Sequence, residues 1–249
     1  MGLSEILLFA IIVMCTYFIE GLIGFGGTIM ALPLASAVIG LKLTVPVMTV
    51  VVLAASLVIA IRDYKYINKK EFIKITLLMI IGLPIGMWLF DFLPEKPLKV
   101  MLGVFMIVVA IKGLFNRDKV KNNDQKKKLN NKTSNIIDSI TLFLGGIIHG
   151  AFTCGGPFVV VYATRNIKDK SSFRATLCAL WATLNAIMIT IDALSGMITG
   201  DILKISTITM IFVSIAIIVS NIVHKKIKGD SFTKFVYIAL FISGILMMM

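Results

Sequence analysis

Apolar residues run along this chain in long unbroken blocks rather than in alternation. Five blocks cover residues 3–19, 25–39, 45–61, 72–90 and 98–115, and five more cover 136–148, 158–164, 173–191, 202–223 and 232–249. A hydrocarbon slab of about 30 Å is crossed by roughly 20 helical residues, so most blocks match a membrane span. In lipid every backbone N–H and C=O must be satisfied within the protein, which leaves helices or closed barrels. Barrel strands alternate apolar and polar positions, and these blocks do not. The pattern therefore predicts an all-α polytopic membrane protein. Block 158–164 is too short to cross, since at 1.5 Å per residue it reaches only about 12 Å. Together with the short block 136–148 it predicts a re-entrant hairpin or broken helix, its tip near residues 153–157. A loop buried inside the bundle is the alternative.

Composition agrees. Hydrophobic residues make up 58% of the chain, charged residues 15%, and mean hydropathy is +0.96. A soluble domain is about half apolar and a quarter charged. That excludes an ordinary soluble enzyme, a disordered chain and a nucleic-acid binder built on a folded basic surface. The net charge of +12 is clustered. Arg62, Lys65, Lys69, Lys70 and Lys74 form one group. The polar stretch 116–135, with Arg117, Lys119, Lys121, Lys126, Lys127, Lys128 and Lys132, forms a second. Arg165, Lys168, Lys170 and Arg174 form a third, and Lys225, Lys226, Lys228 and Lys234 a fourth. Alternating the blocks puts all four on one side, which the positive-inside bias makes the cytoplasm. Both termini then lie outside the cell membrane. The N-terminus has no Lys or Arg before residue 20, so block 3–19 reads as retained rather than cleaved. The expected division is a first membrane repeat over 1–115, a basic cytoplasmic linker over 116–135 and a second repeat over 136–249. The expected partners are the lipid bilayer, a small anionic substrate and a possible second copy, with no nucleic acid.

The halves repeat. Glu20-Gly-Leu-Ile-Gly-Phe-Gly-Gly27 aligns with His149-Gly-Ala-Phe-Thr-Cys-Gly-Gly156, and Glu71-Phe-Ile-Lys-Ile-Thr76 with Asp201-Ile-Leu-Lys-Ile-Ser206 at nearly the same offset. With an odd number of segments per repeat, the second must sit inverted. Inverted repeats with interrupted helices at matching positions are the pattern of secondary transporters, with the substrate near the midplane.

The interruptions carry the candidate chemistry. Gly24, Gly26, Gly27 and Thr28 form the first, and Thr153, Cys154, Gly155 and Gly156, followed by Pro157, form the second. Each opens a helix whose first N–H groups are free and whose dipole is positive at that end, which suits an oxyanion. Close packing at small residues is the competing reading, and it fits Gly21 and Gly150 well. Glu20 and His149 occupy equivalent positions just before the breaks, and ionisable groups inside a membrane are functional suspects. They are candidates for proton coupling if they meet. Asn185 is a polar residue within a span, matched by Ser56, and is a candidate for substrate contact or for helix packing. Trp181 reads as core, Trp88 as an interfacial anchor. Cys15, Cys154 and Cys178 give no disulfide framework. His149 and His224 are the only histidines, so neither a zinc site nor any other cofactor is expected. No phosphate-binding GxxxxGK[ST] loop is present. Cys154 with His149 is the one pair available to a membrane-embedded enzyme, and a channel of the same fold is the other rival.

Gly24-x-Gly26-Gly27 followed by Pro33, with a second glycine-rich break after a central polar stretch, resembles the TauE/SafE sulfite exporter family of membrane permeases. The resemblance spans nearly the whole chain. It implies transport of a small anion such as sulfite or an organosulfonate, with export as the expected direction. Thr28 stands where the family's first break has a further glycine. Thr153 and Tyr162 stand where the first half of this chain has Gly24 and Pro33.

Overall fold

In a computed structural model, residues 2–23, 26–115, 131–224 and 230–248 are described. Among them are ten α-helices and no strand. The first half contains α1 (Leu3–Ile23), α2 (Gly27–Ile39), α3 (Leu41–Arg62), α4 (Lys69–Phe92) and α5 (Glu95–Phe115). The second contains α6 (Asn131–Phe152), α7 (Gly156–Asn166), α8 (Lys170–Leu194), α9 (Gly200–His224) and α10 (Asp230–Met248). The expected linker lies outside the described residues as far as 130. Helix α6 begins at Asn131, inside the stretch expected to be linker. Among the described residues, five helices are long and apolar enough to cross a membrane: α1, α3, α4, α8 and α9.

Local sequence sets the helix ends. The side chain of Asn68 caps α4 by accepting from Glu71 N–H at 3.3 Å, and Asp169 caps α8 by accepting from Ser172 N–H at 2.7 Å. Helix α4 shows how each span is divided into faces. Ile73, Leu77, Ile81, Ile85 and Trp88 recur every three or four residues on an exposed stripe, an apolar surface that water would not tolerate but lipid does. Its opposite stripe, Met79, Gly82, Leu83 and Gly86, is buried against α6. There a Cβ on Gly82 would meet Phe143 O, one on Gly86 Ile147 O, one on Gly146 Met79 O, and one on Gly150 Leu83 O. The two GxxxG pairs thus bring the backbones into contact. Contacts advance together along both helices, so α4 and α6 run parallel.

The principal packing partners are α4 with α6 and α1 with α9, then α5 with α10 and α3 with α8. Helix α3 also packs on α9, and α4 on α8. Exchanging the two halves maps these contacts onto one another.

Helices α6 and α7 form a hairpin. Arg165 Nη2, near the end of α7, bonds Asp138 Oδ1, near the start of α6, at 2.6 Å. Both arms therefore return to one end of the bundle. The turn lies about 21 Å from this ion pair along α6. That is the hairpin expected from block lengths, with longer arms than the apolar blocks alone suggested. Tyr162 Oη donates to Glu71 Oε2 at 2.6 Å, and Asn68 N–H to Thr176 Oγ1 at 2.9 Å. These bonds gather the first and third basic clusters at the same end.

Candidate functional site

The first break is closed by the protein's own carboxylate. Glu20, near the end of α1, accepts from Gly27 N–H at 2.7 Å, placing negative charge on the positive end of α2. Gly26 has φ 96°, a left-handed turn that glycine adopts without steric cost. A Cβ on Gly27 would run into the Glu20 carboxylate. Tyr17 Oη and Thr28 Oγ1 share a hydrogen bond of 3.3 Å, so Thr28 is already partnered. Gly24 lies outside the described residues.

The second break has no such cap. Helix α6 ends with Thr153 N–H donating to His149 O at 2.7 Å. Thr153 then takes φ 55°, the one non-glycine among the described residues with positive φ. A β-branched residue there costs about 1–3 kcal/mol and must be held by its surroundings. The hold comes from α3: Thr49 Oγ1 and Thr153 Oγ1 lie 2.8 Å apart, both buried. Gly155 is required by packing, since a Cβ would strike Gly145 O and come within 2.9 Å of His149 Cβ. Pro157 opens α7, where its missing N–H is harmless, and no side chain caps that N-terminus.

Beside this uncapped end stands His149. It is 1% exposed, and neither ring nitrogen has a hydrogen-bond partner. Its ring stacks on Trp181 with centroids 5.1 Å apart and 19° between planes. Gly156 faces the same tryptophan, its Cβ position 3.9 Å from Trp181 Cζ2, with nothing closer. Asn185, one turn further along α8, donates from Nδ2 to Trp181 O at 2.8 Å and leaves Oδ1 unpartnered. Trp181 packs against two apolar clusters, as the core reading expects, and also faces His149 and Gly156.

The expected pairing of Glu20 with His149 is not formed. Glu20 turns to its own break, and both His149 nitrogens are free of partners. For the same reason no hydrogen bond joins Cys154 to His149. Cys154 is buried in an apolar cluster with Ala151 and Phe152 that also holds Ile29 and Met30 of α2. Through this cluster the two breaks share one core. Gly150 serves α4–α6 packing.

A cavity of about 170 Å³ approaches from the end opposite the basic clusters. Lys42, Asp91 and Asp192 line it together with Thr49, Gly150 and Met188, which adjoin the second break. Asp192, near the end of α8, is half-buried there. A groove of about 510 Å³ between α2, α5 and α10 lies away from both breaks. Among the described residues no cluster of metal-ligating side chains occurs.

Sequence reasoning missed Thr49 and Tyr17. The signal for Thr49 was present, one of two hydroxyls, with Ser56, inside the apolar block 45–61. Its partner across 104 positions was not.

Substitutions at the adjacent glycines of the second break separate packing from site chemistry. Gly155→Ala should destabilise the hairpin by roughly 1–3 kcal/mol through overpacking. Gly156→Ala, which meets only Trp181 at van der Waals distance, should leave thermal stability in detergent nearly unchanged. Equal melting losses in both variants would contradict this division.

No curated protein and no solved structure gave a significant match to the chain. A family model described as sulfite exporter TauE/SafE matches residues 8–247, from the first helix to the last. Chain-long agreement, joined to an all-helical fold with paired breaks, settles the assignment: the protein belongs to the sulfite exporter TauE/SafE family.

Proposed function

We propose that this chain is a secondary transporter exporting a small oxyanion of the sulfite or organosulfonate type. Family membership supports a multi-pass membrane transporter of sulfite or a related anion. The observation that carries the finer reading is His149, buried with both nitrogens unpartnered beside the uncapped N-terminus of α7. A buried polar group without a partner costs about 1–3 kcal/mol, which a bound ligand offsets. The Gly155–Gly156 backbone, Thr153, His149 and Asn185 form the principal anion site. Gly24, Gly26, Gly27 and Thr28 form its counterpart, with Cys154 between the two.

In this reading residues 136–249 are the inverted counterpart of 1–115. The basic clusters face the cytoplasm, and the cavity lined by Asp91 and Asp192 opens outward. Alternating access moves the site between the two faces. An inside-negative potential favours anion export by about 2.3 kcal/mol per charge per 100 mV, so outward flux needs no further driving ion.

Trp181 provides the test. In a Trp88→Phe background it is the sole tryptophan, and sulfite should change its fluorescence saturably. Proteoliposomes loaded with sulfite should show saturable counter-flow. Absence of both would remove the assignment of substrate and site together.

Glu20 gates the same scheme by its protonation, without being needed to drive it. Its carboxylate occupies the first cradle, facing Gly27, beside the Tyr17–Thr28 hydrogen bond. Proton uptake releases the cradle, and proton loss restores the cap and expels the anion. Glu20→Gln should keep counter-flow but flatten the pH profile of net transport. A profile identical to wild type would leave Glu20 as a structural cap only.

A further inference from the structure

Resting on the anion site just proposed, we infer that the substrate carries its own hydrogen-bond donor: it is a monoanion bearing an O–H or N–H, not a fully deprotonated oxyanion. Buried groups at the second break still lack hydrogen-bond partners of a definite kind. Asn185 is fully buried. Its Nδ2 donates to Trp181 O, and a carbonyl can only accept, so the amide cannot be flipped. The unpartnered atom is therefore Oδ1, an acceptor that needs a donor. Thr49 Oγ1 donates its proton to Val45 O at 2.9 Å. The 2.8 Å bond to Thr153 must then use the Thr153 proton. Thr153 is left offering only lone pairs. Neutral His149 adds one acceptor nitrogen and one N–H.

Trp181 connects these groups. Trp181 stacks on His149 and borders Gly156, while Met188 lines the cavity that also touches Thr49 and Gly150. Asn185 lies between Trp181 and Met188 at helical spacings of four and three, hence on the same face of α8. The open valences are thus N–H donors at the start of α7 and on His149, opposed by acceptors on Asn185, Thr153 and His149. An anion with no hydrogen of its own satisfies the first set and leaves the second buried and unmet. A site built to bond a substrate hydroxyl rejects the analogue lacking it far more strongly than an apolar pocket discriminates by size.

The test compares ethanesulfonate with 2-hydroxyethanesulfonate, which share the sulfonate and differ by one hydroxyl. Binding to the full-length Trp88→Phe protein in detergent is read from Trp181 fluorescence. The hydroxylated anion should bind at least about tenfold more tightly, and Asn185→Leu should reduce that ratio to about one. Equal affinities in the protein with Asn185 intact would overturn the inference while leaving the anion site standing, because ordered water would then be filling the acceptors. Binding of neither analogue would overturn the inference and the anion site alike. If Asn185→Leu fails to fold, the comparison with Asn185 intact decides the matter on its own.

Discussion

Gly156→Val should abolish sulfite flux while the protein remains inserted and monodisperse. The Cβ position of Gly156 meets nothing but Trp181 Cζ2 at 3.9 Å, so the backbone accepts a side chain there. The two added methyl groups must nevertheless enter the space between the α7 N-terminus and the His149–Trp181 stack. That is where the anion would approach the backbone N–H groups. Hydrogen bonds to a charged group contribute about 1.5–3 kcal/mol each, so losing even one reduces transport by roughly 10- to 100-fold. Losing the whole approach should leave no measurable counter-flow. Proteoliposome flux, normalised to inserted protein, reads the effect. Flux near the wild-type level would show that the anion does not meet this helix end. Gly156→Ala should give an intermediate loss, since one methyl group fills less of the space.

The second large effect concerns folding. Gly146→Val and Gly150→Val should each remove most of the folded protein. Their Cβ atoms would collide with Met79 O and Leu83 O on α4, and a backbone carbonyl cannot move aside as a side-chain tip can. Lipid supplies little hydrophobic drive for helix association, so close backbone contact is what holds such a pair. Forcing α4 and α6 apart also displaces the hairpin that carries His149. Overpacking costs about 1–3 kcal/mol and more where the backbone must shift, a roughly 10- to 100-fold change in the folded population. The monodisperse fraction after detergent extraction should fall accordingly. Gly200→Ala, which has open space around it, is the control and should be neutral. Normal yield of either valine variant would mean that α4 and α6 do not pack along this seam.

Two kinds of information separate here. The sequence by itself determined the all-helical membrane fold, because unbroken apolar blocks of spanning length leave no other way to satisfy the backbone in lipid. It located the hairpin, because block 158–164 cannot cross, and it located both breaks, because glycine runs recur at a fixed offset. It picked out His149, Asn185 and Thr153 as polar residues where polarity is costly. Only the tertiary structure decided what they touch. Glu20 and His149 match by repeat position, yet Glu20 caps Gly27 while His149 stacks on Trp181. Repeat position fixes where a side chain starts, whereas its direction depends on which helix packs opposite. Thr49 and Thr153 meet across 104 positions because α3 lies against the α6–α7 turn. The GxxxG seam likewise needs two helices, and neither Gly82–Gly86 nor Gly146–Gly150 names the other in advance. Periodicity and composition are local properties that one segment displays alone, whereas a hydrogen bond or a backbone collision belongs to two segments at once and exists only after they have packed.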